Sequence, residues 1–134
     1  MKIEGKNAIH ILIKEFDEMK AIYDESDNDC GCKDLDYYFF EIYFTPFIFE
    51  QIRQGNEPAL IRIFSFIERL LRFGDDDLKT LVCVSVIESL YYDEVCNMFK
   101  PTLFKYCGNQ TLQCFMNCLV DDEKLEWNKW LRAA

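Results

Sequence analysis

One histidine, His10, is all the imidazole that 134 residues contain. A nucleophile–histidine–acid triad needs an imidazole poised beside its nucleophile, and His10 falls on an amphipathic helical segment where it reads as a surface or structural residue. Basic residues are also scarce. Lys and Arg number 15 against 24 Asp and Glu, giving a net charge of -9 and a pI near 4.6. The clusters of Lys and Arg that neutralise phosphates are therefore missing, and direct nucleic-acid or anionic-membrane binding is not expected. No apolar run approaches the length of about 20 residues that spans a bilayer, and no basic start, apolar stretch and small-residue cleavage site combine at the N-terminus. The expected location is the cytoplasm.

Apolar material, by contrast, is abundant. Half of the residues are hydrophobic and 16% are aromatic, far from the composition of a disordered chain. A chain of this length is expected to fold as a single helical domain over residues 1–134, burying roughly two-thirds of the surface its unfolded form exposes. The seven cysteines, Cys30, Cys32, Cys83, Cys96, Cys107, Cys114 and Cys118, are odd in number. Five lie in apolar helical segments, where a reduced thiol behaves as a small hydrophobe.

Ile9, Leu12, Ile13, Phe16, Met19, Ile22 and Tyr23 recur at three- and four-residue intervals, which predicts one amphipathic helix from Asn7 to Tyr23. The carboxylate-rich stretch from Asp24 to Asp36 has little to bury and is expected to be a solvated loop. In the aromatic block Tyr37–Phe49, Thr45 can act as an N-cap and Pro46 suits a first turn, so two short helices are expected, closed by Gly55; a β-hairpin is the alternative. Glu57–Phe73 is the clearest helix, ending at Gly74. The turn Asp75-Asp76-Asp77 should cap a helix from Leu78 to Tyr92, which is apolar nearly all round and expected to be the most buried. Pro101 should kink or break the segment from Asp93 to Tyr106. Gly108 stops it, and further helices are expected through Leu119 and, after Asp121-Asp122, through Trp127 and Trp130. The predicted fold is all-α: a compact array of stacked antiparallel helical hairpins, HEAT- or armadillo-like over Leu60–Leu90.

No constellation of these residues reads as catalytic. Cys30-Gly31-Cys32 together with Cys114 and Cys118 match no common zinc spacing, and the surrounding carboxylates disfavour a reactive thiolate at the Cys30 pair. Asp75–Asp77 is explained by helix capping without a metal. Glu88, inside the most apolar helix, would need Arg62 or Arg69 as a partner if buried. The richest surface signal is the carboxylate stretch beside the aromatic block: Asp24, Glu25, Asp27, Asp29, Asp34, Asp36, Tyr37 and Tyr38 are the expected partner-binding residues. Carboxylates steer a basic partner, and rings anchor a desolvated contact. The turn face at Asp75–Asp77 with Asp121 and Asp122 is the second candidate.

The run Phe64-x-x-Ile67-Glu68-x-Leu70-Leu71, Asp76 or Asp77, Leu81-Val82-x-Val84-x-Val86-Ile87-Glu88-x-Leu90, Phe99-x-Pro101-x-Leu103, Gly108 and Thr111 resembles helical immunity proteins of bacterial polymorphic toxin systems, including contact-dependent growth inhibition. The likeness covers about half of the chain. It implies a cytoplasmic inhibitor that binds and occludes a cognate toxin protein domain; the residues themselves, with no catalytic constellation, point to no enzyme and no need of a cofactor or metal. Such toxins are often basic nucleases. A helical scaffold or adaptor joining two host proteins is the alternative.

Overall fold

Polar side chains at two corners of the chain determine where the central helices begin. Asn56 accepts the Ala59 N–H (3.4 Å) and Asp75 accepts the Leu78 N–H (2.9 Å), so that each N-cap satisfies a backbone donor that has no partner within its helix. The computed structural model describes residues 2–25, 36–92 and 105–117. After a 3-10 turn at Gly5–Asn7 come α1 (Ala8–Glu15), α2 (Asp17–Glu25) and α3 (Asp36–Phe39). A first π-turn, Phe40–Phe44, leads from α3 into α4 (Thr45–Gln54), and α5 (Glu57–Phe73) follows. Then α6 (Asp76–Val82) passes through a second π-turn, Cys83–Ile87, into α7 (Glu88–Tyr92), and α8 (Asn109–Asn117) is the last described helix. The protein is all-α; among the described residues the only β-type pairing is an isolated bridge between Ile3 and Gly74.

The single first helix expected from periodicity is two helices. Phe16 is extended (φ -124°, ψ 112°); its N–H ends α1 on Leu12 O and its carbonyl starts α2 by accepting from Lys20. Arg62 donates to the carbonyl of Glu15 at this break, and Arg62 and Arg69 both pair with the Glu15 carboxylate, at 3.8 and 3.3 Å. Periodicity misses the break because Leu12, Phe16 and Met19 are all buried on either side of it.

The aromatic block differs in the opposite sense, for one continuous helical rod replaces two short helices. Thr45 is helical (φ -61°, ψ -46°) and caps nothing; its hydroxyl donates instead to Ser85 O at 2.8 Å, tying the first π-turn to the second. Pro46 has no N–H to offer and its ring crowds the preceding turn. The wider π-turn just before it, closed by Thr45 N–H to Phe40 O, absorbs that disturbance without ending the helix. Gly55 does end it, in the left-handed conformation (φ 63°) that only glycine adopts readily.

The expected helix at Glu57–Phe73 is present with those bounds. At Gly74 the backbone turns extended (φ -73°, ψ 154°) rather than left-handed, and only glycine fits there because a Cβ would clash with Leu70 O. Ile3 adds strand-like bonds across this corner, donating to Phe73 O (2.7 Å) and accepting from Asp75 N–H (2.8 Å). The helix after the corner buries Leu78, Leu81, Val82, Val86, Ile87, Leu90 and Tyr91, yet it is not covered all round: Val84 and Glu88 are exposed.

Consecutive helices pack across the Gly55–Asn56 and Gly74–Asp75 corners, and α8 leans on both α5 and the second π-turn. What docks α8 is a side chain from another helix. The Glu68 carboxylate accepts from the N–H groups of Gln110 (3.2 Å) and Thr111 (2.9 Å) and from the Thr111 hydroxyl (3.0 Å), acting as an N-cap delivered by α5. Glu68→Ala is expected to cost about 1–2 kcal/mol by stranding these donors, with buried Thr111 the worst affected. Urea denaturation should register the loss, and amide exchange should accelerate at Thr111. One continuous core joins α1 to α8, with Phe16, Phe39, Phe40, Phe44, Phe64, Phe66 and Phe115 fully buried. The expected kink near Pro101 and the C-terminal helix bearing Trp127 and Trp130 lie outside the described residues, as do Cys30, Cys32, Cys96 and Cys118.

Candidate functional site

The last turn of α2 carries Asp24 and Glu25, and the first turn of α3 carries Asp36, Tyr37 and Tyr38. Tyr23 and Phe39, each next to one of these groups in sequence, meet edge to face with centroids 5.8 Å apart. The two ends are therefore neighbours in space, across a stretch that joins them in sequence. Asp27, Asp29 and Asp34 lie outside the described residues. Asp24 is exposed and paired with Lys20 at 2.9 Å, a contact that leaves it available at the surface.

Tyr37 and Tyr38 are 43% and 53% exposed, so they are not core residues of the aromatic block. Half of the other rings are: Phe39, Phe40 and Phe44 are buried and Tyr43, Phe47 and Phe49 are partly so, whereas Ile42 and Pro46 continue outward from Tyr38 at four-residue intervals. This outward stripe is a feature that the sequence does not separate from the core rings, because apolar residues occupy every face of the block.

Beside Tyr37 lies a cleft of about 310 Å³ lined by Gly5, Lys6, Asp36, Tyr37, Asp77 and Leu81. It joins the first candidate surface to one residue of the second. Lys6 is drawn to Glu4 at 3.1 Å, and among the described residues neither Asp36 nor Asp77 takes part in an ion pair. Burial holds the Asp36 carboxyl above the usual carboxylate range, opposed by nearby His10. A cation entering the cleft would relieve that penalty. His10 itself is exposed and stands edge-on to Tyr23.

Asp75, expected to belong to the second surface, is committed to structure instead. Besides capping α6, both of its oxygens accept the Gly5 N–H at 3.1 Å. The hydrogen bonds from Leu78 and then Gly5 hold its carboxyl below the ordinary value of 3.8. A depressed native pKa gives stability that is present above the unfolded-state value and is lost as pH falls through the native one. The melting-temperature advantage of the wild type over Asp75→Asn should thus be constant near neutrality and shrink only below about pH 4. A pH series of thermal melts on both proteins checks this.

Other anticipated partnerships are rearranged. Glu88 is exposed rather than buried, and Arg62 and Arg69 serve Glu15; their guanidinium groups also cover the rings of Phe16 (4.8 Å) and Phe66 (5.4 Å). Glu15 and Glu68 are the functional carboxylates of the scaffold that sequence spacing does not single out, since both act on residues more than 40 positions away. Among the described residues, no group of three or more His, Cys, Asp or Glu gathers as a metal site, and no helix is long and apolar enough to cross a membrane. Chemically, the arrangement is suited to receiving cationic and aromatic-stacking groups at the α2–α3 edge.

The chain belongs to the family described as a domain of unknown function, DUF7674, which matches residues 9–121. That span includes the α2–α3 edge and the helices that support it. No curated protein and no solved structure matches the chain.

Proposed function

We propose that this protein is an inhibitor of the immunity type, which binds a basic, nuclease-like toxin domain and occludes its active site through the edge formed by Asp24, Glu25, Asp36, Tyr37 and Tyr38. The observation that carries this reading is the juxtaposition of half-exposed tyrosines with carboxylates on the ends of two helices that touch through Tyr23 and Phe39. Carboxylates presented at such an edge can occupy the cationic positions where a nuclease holds phosphates, while the rings exclude water from the contact. The resemblance of Phe64–Thr111 to helical immunity proteins supports a toxin as the partner class.

Cells expressing a basic toxin domain encoded beside this chain should regain growth when the chain is co-expressed, and the purified pair should form a complex whose association slows with salt. Simultaneous binding of two host proteins, with no protection against the toxin, would instead support the adaptor reading.

A further inference from the structure

The described cysteines do not all behave as isolated core thiols. Cys83 opens the second π-turn, Cys114 lies on α8, and their sulfurs are 2.7 Å apart although 31 residues separate them in sequence. Sequence spacing groups Cys114 with Cys118 on one helix face; the fold turns it toward Cys83. The two sulfurs are not bonded to each other, and both residues are half-buried, neither sealed in the core nor fully exposed.

We infer that Cys83 and Cys114 form a reversible dithiol–disulfide site that reacts with low-molecular-weight disulfides. The geometry is set before any reaction, because Glu68 grips the first turn of α8 and α8 packs directly on the second π-turn. Closure brings the two sulfurs closer by about 0.7 Å. The hydrogen bond with Cys114 also draws the Cys83 thiol below its ordinary range, against the opposing effects of burial and of Glu88, which favours Cys83 as the attacking sulfur.

In the first step, the Cys83 thiolate attacks one sulfur of the small disulfide, forming a mixed disulfide and expelling one thiolate. The Cys114 sulfur then attacks Cys83 Sγ and displaces the second thiolate. The two protons lost by the cysteines end on the two released thiols, so one small disulfide is reduced for each protein disulfide formed. Contact between the two sulfurs gives the second step a high effective concentration, and the mixed disulfide should not accumulate. The product bond staples α8 to the π-turn that Thr45 ties to the α3–α4 rod.

The test incubates the full reduced chain with oxidised glutathione and quenches with acid. The expected product is lighter by about 2 Da, with fragment mapping that joins Cys83 to Cys114. Its melting temperature should rise by about 10–15 °C, as for a disulfide closing a loop of this size. Cys107→Ser should keep the linkage. Cys114→Ser should stop at the glutathione adduct on Cys83, and Cys83→Ser should lose the intramolecular linkage, with circular dichroism confirming that each variant is folded. A folded wild type that yields only glutathione adducts, or a loss of about 2 Da that persists at unchanged yield in Cys83→Ser, overturns the inference.

Discussion

Phe16→Ala is expected to lower the unfolding free energy by about 3–5 kcal/mol, the largest loss for any single side chain described above. Phe16 is 2% exposed, and its ring meets Phe44 at 5.5 Å, Phe47 at 6.0 Å and Phe66 at 5.3 Å. It thus binds the α1–α2 break to the first π-turn, to α4 and to α5. Truncation would open a cavity at that junction and remove the ring beneath the Arg62 guanidinium, whose other contacts hold Glu15. Since domains of this size are stable by only about 5–15 kcal/mol, the variant should lose a large share of its stability. Phe73→Ala, at a ring that is 47% exposed, is the control and should change stability by no more than about 0.5 kcal/mol. Guanidinium denaturation of both variants measures the contrast. Equal losses at the two positions would mean that Phe16 does not hold the helices together in this way.

Local signals proved legible where the controlling residue is close in sequence. Gly55 and Asp75 act within three or four positions of themselves, closing α4 and opening α6, whereas the N-cap at Asn56 is equally local but does not stand out in the sequence. The all-α class follows from the same periodicity. Features controlled from a distance were not legible. The break at Phe16 depends on Arg62, the start of α8 on Glu68, and the role of Thr45 on Ser85; none of these pairings leaves a trace in local spacing. The π-turns are hidden for a different reason. One residue inserted into a helical turn shifts the apolar stripe by about 100°, but a pattern already rich in apolar residues on several faces hides the shift.

The site divides along the same line. Its chemical character was readable because Asp36, Tyr37 and Tyr38 are consecutive, and solvation of such a polar start to an aromatic block follows from composition. Which rings remain outside was not readable, since Phe39 and Phe40 are buried directly beside exposed Tyr38. Nor was the cleft, which brings Lys6 and Asp77 to Asp36 from segments distant in sequence. Asp75 and Asp77 look equivalent in the sequence, but Gly5 and Leu78 claim Asp75, and Asp77 lines the cleft. Hydrogen-bond demand at the chain corner, rather than charge, separates the two.

If the α2–α3 edge is the binding surface, Tyr38→Ala should raise the dissociation rate of the complex by about 30-fold, corresponding to the roughly 2 kcal/mol of an aromatic anchor. Tyr38 is the most exposed of the aromatic rings in the block and has Ile42 and Pro46 beside it, so a partner can bury it without repacking the core. The carboxylates should act on the other rate. Asp24→Asn combined with Glu25→Gln removes two exposed charges at the end of α2, and it should slow association at low ionic strength while converging on the wild type as salt screens the approach. Asp36→Asn is the discriminating case because Asp36 is half-buried and lines the cleft. If a cationic side chain enters there, this substitution should speed dissociation and retain its effect at high salt, unlike the pair on α2. Stopped-flow association and surface-based dissociation measurements across a salt series separate the two behaviours. Wild-type kinetics in all three variants, in a complex that still forms and protects, would move the binding surface to the exposed face around Asp76 and Asp77 while leaving the inhibitor reading intact.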